Sequence, residues 1–92
     1  MLDVKKVTLR KKKNQKIGIT FYEEESGIPS GLIHSTDPGS LASFADIREG
    51  QQIISVNGQS LDTNEDIVQM ICNHGGLLTL EVVNPDEVSF SN

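Results

Sequence analysis

Apolar and polar residues alternate over several short segments of this chain, and a period of two is typical of β-strands that bury one face. Polar stretches that contain glycine or proline separate the segments, and Asn57-Gly58 is the strongest tight-turn signal among them. The pattern predicts six short strands, at residues 3–9, 17–22, 31–34, 52–56, 59–61 and 77–83.

Two segments have the spacing of an α-helix instead. Ile67 and Ile71 lie one helical turn apart, Thr63 precedes them as a capping residue, and Gly75-Gly76 follows them as a stop signal. These features predict a helix at residues 63–74. A shorter helix is predicted immediately after the turn at residues 37–40.

The order of these elements predicts the fold class. The order is three strands, a short helix, two strands, the longer helix and a last strand. This order indicates a mainly β domain with two helices (α+β). We expect the six strands to form a partly open antiparallel β-barrel or sandwich, capped by the short and the long helix. Residues 1–84 are predicted to form this single domain, and residues 85–92 a C-terminal tail.

Composition narrows the functional classes. Apolar residues make up 36% and charged residues 23% of the chain, as in ordinary globular domains. No apolar run approaches the roughly 20 residues that a membrane span needs, and residues 1–16 are too charged for a signal peptide. The single cysteine, Cys72, excludes an internal disulfide and a cysteine-based zinc site, so we expect no metal, no cofactor and a cytoplasmic location.

The net charge of −5 is distributed unevenly along the chain. Seven of the eight basic residues lie within residues 1–16, where Asp3 is the one acid, so this segment carries +6. Residues 17–92 contain Arg48 and twelve acids and therefore carry −11. This separation predicts a patch for anions on an acidic domain. Single lysines in such a run are usually solvated, and Lys11 and Lys13 are expected to be exposed.

Four segments, in their order along the chain, resemble parts of the PDZ domain family. Lys16-Ile17-Gly18-Ile19 resembles its carboxylate-binding loop, residues 31–42 resemble its third strand and the turn into its first helix, and residues 49–58 resemble the segment that ends in Val-Asn-Gly. Residues 63–70 stand where its second helix begins. The resemblance extends from about residue 4 to residue 83, in the element order of animal signalling PDZ domains. Gln51 replaces the usual aspartate, and Lys16 a frequent glycine.

The resemblance implies a non-catalytic interaction module of a scaffold or signalling protein, which binds the C-terminal carboxylate and the last few residues of partner proteins. The peptide would add a strand between the second strand and the second helix. Its backbone would pair with Ile19, Thr20, Phe21 and Tyr22. Its carboxylate would be bound by Lys12, Lys16, Ile17, Gly18 and Ile19. Its last side chain, expected to be apolar, would enter a pocket formed by Ile17, Ile19, Phe21, Val68 and Ile71.

Asn64 and Val68 are implied to set the preference for the third residue from the peptide end. In the commonest PDZ class a histidine at the first position of the second helix binds a Ser or Thr hydroxyl there. Asn64 occupies this position and can both donate and accept. Val68 favours an apolar residue, so the expected preference is mixed or apolar. Residues 23–25, three glutamates, either meet basic residues further up the peptide or form a solvated loop.

The sequence gives less support to other functional classes than to peptide binding. An enzyme is not expected, because His34 and His74 are far apart in the sequence and no G-x-S-x-G motif is present. Nucleic-acid binding is disfavoured, because the lysine run contains no aromatic residue and the rest of the chain is acidic. The alternative that stays open is binding of the basic N-terminal segment to anionic lipids at the inner membrane face, alone or alongside peptide binding.

Overall fold

The computed structural model describes residues 3–85 of the chain. In this range the elements are β1 (Lys5–Lys11), β2 (Ile19–Phe21), β3 (Ile33–Thr36), α1 (Leu41–Phe44), β4 (Gln52–Val56), α2 (Asn64–Asn73) and β5 (Gly76–Val83). All strand pairs are antiparallel, and the predicted α+β class with two helices is confirmed. No helix within these residues has the length and apolar composition that crossing a membrane requires.

β5 is the central strand of the larger sheet, with β1 on one side and β4 on the other. Its side chains alternate between the core and solvent, as the period of two requires. Leu78 and Leu80 are fully buried, whereas Leu77 is 56% exposed. The alternation in β5 therefore determines which face of the sheet covers the core.

β2 and β3 form a separate two-stranded sheet, which is held against β4 by the backbone. Ile33 N–H donates to the Gln51 carbonyl over 2.8 Å, and Ile53 N–H donates to the Gly31 carbonyl over 2.9 Å. Position 31 requires glycine, because its φ is +81° and a Cβ atom would lie 2.2 Å from the Ile53 carbonyl oxygen. This close approach joins the two sheets at the start of β3.

Some predicted strand boundaries differ from the observed ones. The predicted strand at 59–61 contributes only an isolated bridge between Val56 and Gln59, across the turn that contains Asn57 and Gly58. Residues 3–85 thus contain five strands, and the predicted six-stranded, partly open barrel or sandwich is not confirmed. β3 begins two residues later than predicted, and β2 covers only the middle of the predicted segment 17–22. Apart from Pro85, the predicted tail at 85–92 lies outside the described residues.

The two helices cover the core at different edges. α2 buries Ile67 and Ile71, and its predicted cap is confirmed, because Thr63 Oγ1 accepts from Asp66 N–H over 3.0 Å. α1 is a single turn, capped by the Ser40 hydroxyl. The core between the helices and the sheets is aliphatic. Its largest fully buried side chains are Ile33, Ile47, Ile53, Ile67, Leu78, Leu80, Val56 and Val82.

Asp46 connects the start of β1 to the loop after α1. Its carboxylate lies 2.8 Å from the Arg48 guanidinium and 3.4 Å from the Lys5 ammonium. The hydrogen bond and charge of Arg48, and then the charge of Lys5, hold the pKa of Asp46 below its ordinary value. Because the folded-state pKa is lowered, the resulting stabilisation is present above the unfolded-state pKa and is lost as the pH falls through the folded-state value. Exposure to solvent keeps this contribution small.

Leu80→Ala tests the orientation of β5. The substitution deletes a fully buried side chain and leaves a cavity, so we expect the free energy of unfolding to fall by about 2–5 kcal/mol. Leu77→Ala, in the same strand but largely exposed, is the matched control and should cost less than about 1 kcal/mol. Chemical denaturation followed by circular dichroism measures both. Equal losses would contradict the orientation.

Candidate functional site

An open cleft of about 340 Å³ lies between β2 and α2. Residues 15–21 form one wall, Val68, Ile71 and Cys72 of α2 form the other, and Asp37 lies at one end. All five residues predicted for the side-chain pocket line this cleft, namely Ile17, Ile19, Phe21, Val68 and Ile71. The cleft is therefore the open edge of the core.

The loop before β2 is anchored to the turn after β3 and to α1. Asp37 N–H donates to the Gly18 carbonyl over 2.8 Å, and Ala42 N–H donates to the Ile17 carbonyl over 2.9 Å. Gly18 has a φ of +89°, and a Cβ atom there would lie 2.4 Å from Ser40 Cβ. Glycine is thus required at this position both for the backbone conformation and for the close packing.

This anchoring leaves backbone donors directed towards the cleft. A trans peptide points its carbonyl and the following N–H in opposite directions, and no peptide bond in the described residues is cis. The carbonyls of Ile17 and Gly18 point to Ala42 and Asp37, so the N–H groups of Gly18 and Ile19 point away from them. Both residues line the cleft. Two adjacent N–H groups on the cleft side of such a loop suit an anionic acceptor.

Along the cleft, only every second residue of β2 directs its backbone N–H and carbonyl groups to the open edge. Ile19 lies opposite Thr36 and Thr20 opposite Ser35, and the register shifts between Thr20 and Phe21. The bonds from Asp37 N–H to the Gly18 carbonyl and from Tyr22 N–H to the Leu32 carbonyl flank this pairing. By the antiparallel alternation, Thr20 and Tyr22 face β3, whereas Ile19 and Phe21 face the cleft. Only these two of the four predicted pairing residues present their backbone at the open edge.

The side chains of the cleft range from buried to half exposed. Ile17 and Ile71 are buried at its floor, and Val68 is 48% exposed at its rim. The structure adds Cys72 to the residues that line the cleft. Its position four residues after Val68 and one after Ile71 was a usable signal, because residues four apart share a helix face.

The structure separates the two lysines predicted to support a carboxylate. Lys16 lines the cleft and is exposed. Lys12 does not line it, and borders a second, shallower concavity instead. Its N–H donates to Gln15 Oε1 over 2.8 Å, within the turn that precedes the loop.

Lys11 was expected to be solvated, and this expectation is wrong: the residue is 4% exposed. Its ammonium donates to the carbonyls of Lys12 over 2.9 Å, Cys72 over 3.3 Å and His74 over 2.6 Å. Two of these carbonyls belong to the C-terminal end of α2, where the helix dipole favours a cation. The signal was the period of two in β1, because Lys11 follows the inward-facing Val7 at an even spacing. Lys13 is exposed, as expected.

Asn64 is the first residue of α2, as the sequence predicted, and its side chain bonds to residues just outside the two strands of the smaller sheet. Nδ2 donates to the Tyr22 carbonyl over 2.7 Å, and Oδ1 accepts from Gly31 N–H over 2.7 Å. Its own N–H donates to Glu24 Oε1 over 2.6 Å. All three glutamates are exposed in a loop, which is one of the two outcomes expected for them, and Glu24 also bonds to the start of the helix.

Within residues 3–85 no group of three or more histidine, cysteine or acidic side chains is arranged to hold a metal ion. Backbone donors, apolar side chains and Lys16 line the cleft.

The site thus combines a loop with outward N–H groups, an open strand edge and an apolar cleft beside a helix. The sequence model of the PDZ domain family matches residues 6–83. The chain belongs to the PDZ domain family. PDZ domains are protein-interaction modules, and this domain is therefore one as well.

Two relatives are similar to this PDZ domain. PDZ domain-containing protein C52A11.3 of Caenorhabditis elegans is 32% identical over 82 residues, which are 89% of this chain and 60% of that protein. The chain thus spans less than two thirds of that relative's length. A solved structure of INAD PDZ3 in complex with a TRP channel tail has 19% sequence identity and a TM-score of 0.67, and covers 86% of this chain and 84% of its own. At this identity the match shows the shared fold.

Gly18→Ala tests the packing of the loop. An unfavourable φ alone costs about 1–3 kcal/mol. We expect the substitution to lower the free energy of unfolding by more than this, because the added Cβ also clashes with Ser40. Gly39→Ala is the matched control, because its φ is +74° but nothing lies within 4 Å of the added Cβ. Thermal unfolding measures both. A Gly18→Ala loss no larger than the control's would show that the contact with Ser40 does not matter.

Proposed function

We propose that this PDZ domain binds the C-terminal carboxylate and the last few residues of partner proteins, as part of a cytoplasmic scaffold or signalling protein. The observation that carries the proposal is the pair of N–H groups of Gly18 and Ile19, which point away from the anchored carbonyls at one end of the cleft. Bonds to a charged acceptor contribute about 1.5–3 kcal/mol each. Lys16 adds positive charge at the same end and attracts an acidic terminus.

The peptide backbone adds a strand to the open edge of β2. Ile19 and Phe21 provide the donors and acceptors, since Thr20 and Tyr22 face β3. In this geometry, every second residue of a short peptide forms backbone hydrogen bonds with the open edge of β2. The channel tail in the complex of INAD PDZ3 supports a protein tail as the class of ligand.

The last side chain of the peptide enters the apolar part of the cleft. Burial of a Val or Leu side chain there contributes about 1.5–3 kcal/mol. After the cost of association, a few such contributions give micromolar affinity, or about −8 kcal/mol. The half-exposed Val68 at the rim favours a mixed or apolar preference at the third residue from the end.

Amidation of the peptide C-terminus tests the carboxylate assignment. We expect the Kd of a peptide that ends in Val to rise at least about tenfold on amidation, which corresponds to about 1.4 kcal/mol. The amide has one neutral acceptor where the carboxylate has two charged ones, so it bonds more weakly to the loop. Fluorescence anisotropy with N-terminally labelled peptides measures both forms. Equal Kd values would remove the proposed carboxylate site.

A second candidate function is binding to an anionic membrane surface. A shallow concavity of about 380 Å³ is lined by Arg10, Lys11, Lys12, Gln15 and Gly76. Arg10 lies directly opposite Leu77 across β1 and β5, so a basic and a 56% exposed apolar side chain share one face. Basic residues near an anionic surface contribute about 1 kcal/mol each. Gln15 lines both this concavity and the cleft, so the two surfaces adjoin.

Co-sedimentation with vesicles of phosphatidylserine and phosphatidylcholine tests this candidate. We expect binding at low salt that is lost near 1 M salt, where the Debye length is about 3 Å. Arg10→Gln/Lys12→Gln should weaken binding about tenfold or more. Lys5→Gln/Lys6→Gln removes the same charge at the other end of β1 and should weaken it less. No sedimentation at low salt, or equal effects of the two double variants, would rule out the concavity as a lipid site.

A further inference from the structure

We propose that the carboxamide of Asn64 is a positioning group that sets the spacing of the cleft, and that it does not read the third residue from the peptide end. This inference rests on the proposed peptide binding. Discrimination between peptides that differ at that residue belongs instead to Val68, which lies one helical turn along α2.

The two partners determine the orientation of the Asn64 amide. Tyr22 offers a carbonyl, so the nitrogen must face it, and Gly31 offers an N–H, so the oxygen must face that. Each contact is 2.7 Å long, which is short for a neutral N–H···O bond. The side chain is thereby fixed at both ends of its planar group.

The amide occupies a place in the ladder between β2 and β3. Tyr22 N–H still donates to the Leu32 carbonyl over 3.0 Å. The Tyr22 carbonyl, however, accepts from Asn64 Nδ2, and Asn64 Oδ1 accepts from the N–H of Gly31. The side-chain amide thus bridges the two strands just beyond the end of β2. A contact of this kind holds the first turn of α2 at a set distance from the peptide-binding edge.

Glu24 reinforces the same attachment. Its carboxylate accepts from the Asn64 N–H over 2.6 Å, at the end of the helix where an anion is favoured. Three hydrogen bonds therefore join the first residue of α2 to residues on or next to the smaller sheet. A reorientation of Asn64 towards a ligand breaks two of them and leaves the Gly31 N–H and the Tyr22 carbonyl without their partner.

Val68 has the opposite character. It lies four residues after Asn64 on the same helix face, lines the cleft, and is 48% exposed. Its side chain can be changed without breaking any polar contact of the fold. We therefore expect substitution of Asn64 to change the Kd of all peptides by a similar factor, and substitution of Val68 to change it by different factors.

The test uses two free-acid peptides that end in Val and differ only by Thr or Val at the third residue from the end. Kd values are measured for the wild type, Asn64→Ala, Asn64→Asp and Val68→Thr, at a temperature where each is more than 99% folded. Asn64→Asp keeps the size of the side chain but places an oxygen against the Tyr22 carbonyl. An acid near a helix start favours the helix, so this variant remains usable if Asn64→Ala unfolds.

We expect both Asn64 variants to raise the two Kd values by a similar factor, about tenfold, so that their ratio stays within about twofold of the wild-type ratio. Val68→Thr should change the ratio by about threefold or more, in favour of the Thr peptide. A change of more than about fivefold in the ratio for Asn64→Ala would show that Asn64 reads the ligand. Unchanged Kd values with lowered stability would show a role in folding alone. Either result overturns the proposal.

Hydrogen exchange separates this inference from the peptide-binding proposal. The Gly31 amide should exchange at least about tenfold faster in Asn64→Ala, while the Ile33 amide, bonded to Gln51, serves as the unchanged control. Unchanged Gly31 exchange would remove the bridge whatever the peptides do. If the wild type bound no free-acid peptide, the proposed function would fail, and faster Gly31 exchange would still establish the bridge without its role in binding.

Discussion

Two backbone hydrogen bonds, from Asp37 to the Gly18 carbonyl and from Ala42 to the Ile17 carbonyl, are the interaction on which the cleft depends. They hold the loop against the turn after β3 and against α1, and the geometry of the trans peptide then directs the following N–H groups outward. The same contact begins the pairing of β2 with β3, which leaves alternate residues at the open edge. Ser40 fills the space beside Gly18, so one packing contact determines both the donors and the strand edge.

α2 is attached to the rest of the domain at both ends by polar contacts. At its C-terminal end the buried ammonium of Lys11 is surrounded by three carbonyls, which offset the cost of removing its charge from water. At its N-terminal end Asn64 and Glu24 bond the helix to the smaller sheet. The width of the cleft is therefore determined by groups outside the apolar pocket.

The elements were predictable where a local pattern decides them. The alternation in β5, the Thr63 cap of α2 and the glycine of the loop all follow from short stretches of sequence, and the structure contains each of them. The polar contacts of Lys11 and Asn64 were not predictable in this way, because their partners lie 61 and 42 residues away along the chain. The strand expected at 59–61 reduces to a bridge, since a tight turn does not by itself supply a second partner strand. Composition and spacing indicate periodic burial, whereas long-range hydrogen bonds depend on the tertiary arrangement.

Polar contacts hold α2 at both ends, so residues in its middle can be substituted without breaking them. Val68 contributes little to the core, because nearly half of its side chain is exposed, and no polar contact of the fold depends on it. Substitution there changes the shape of the ligand-facing wall at small cost in folding stability. A single substitution in the middle of the helix can therefore alter the ligand preference of such a domain, while the polar contacts at either end of the helix keep the cleft in place.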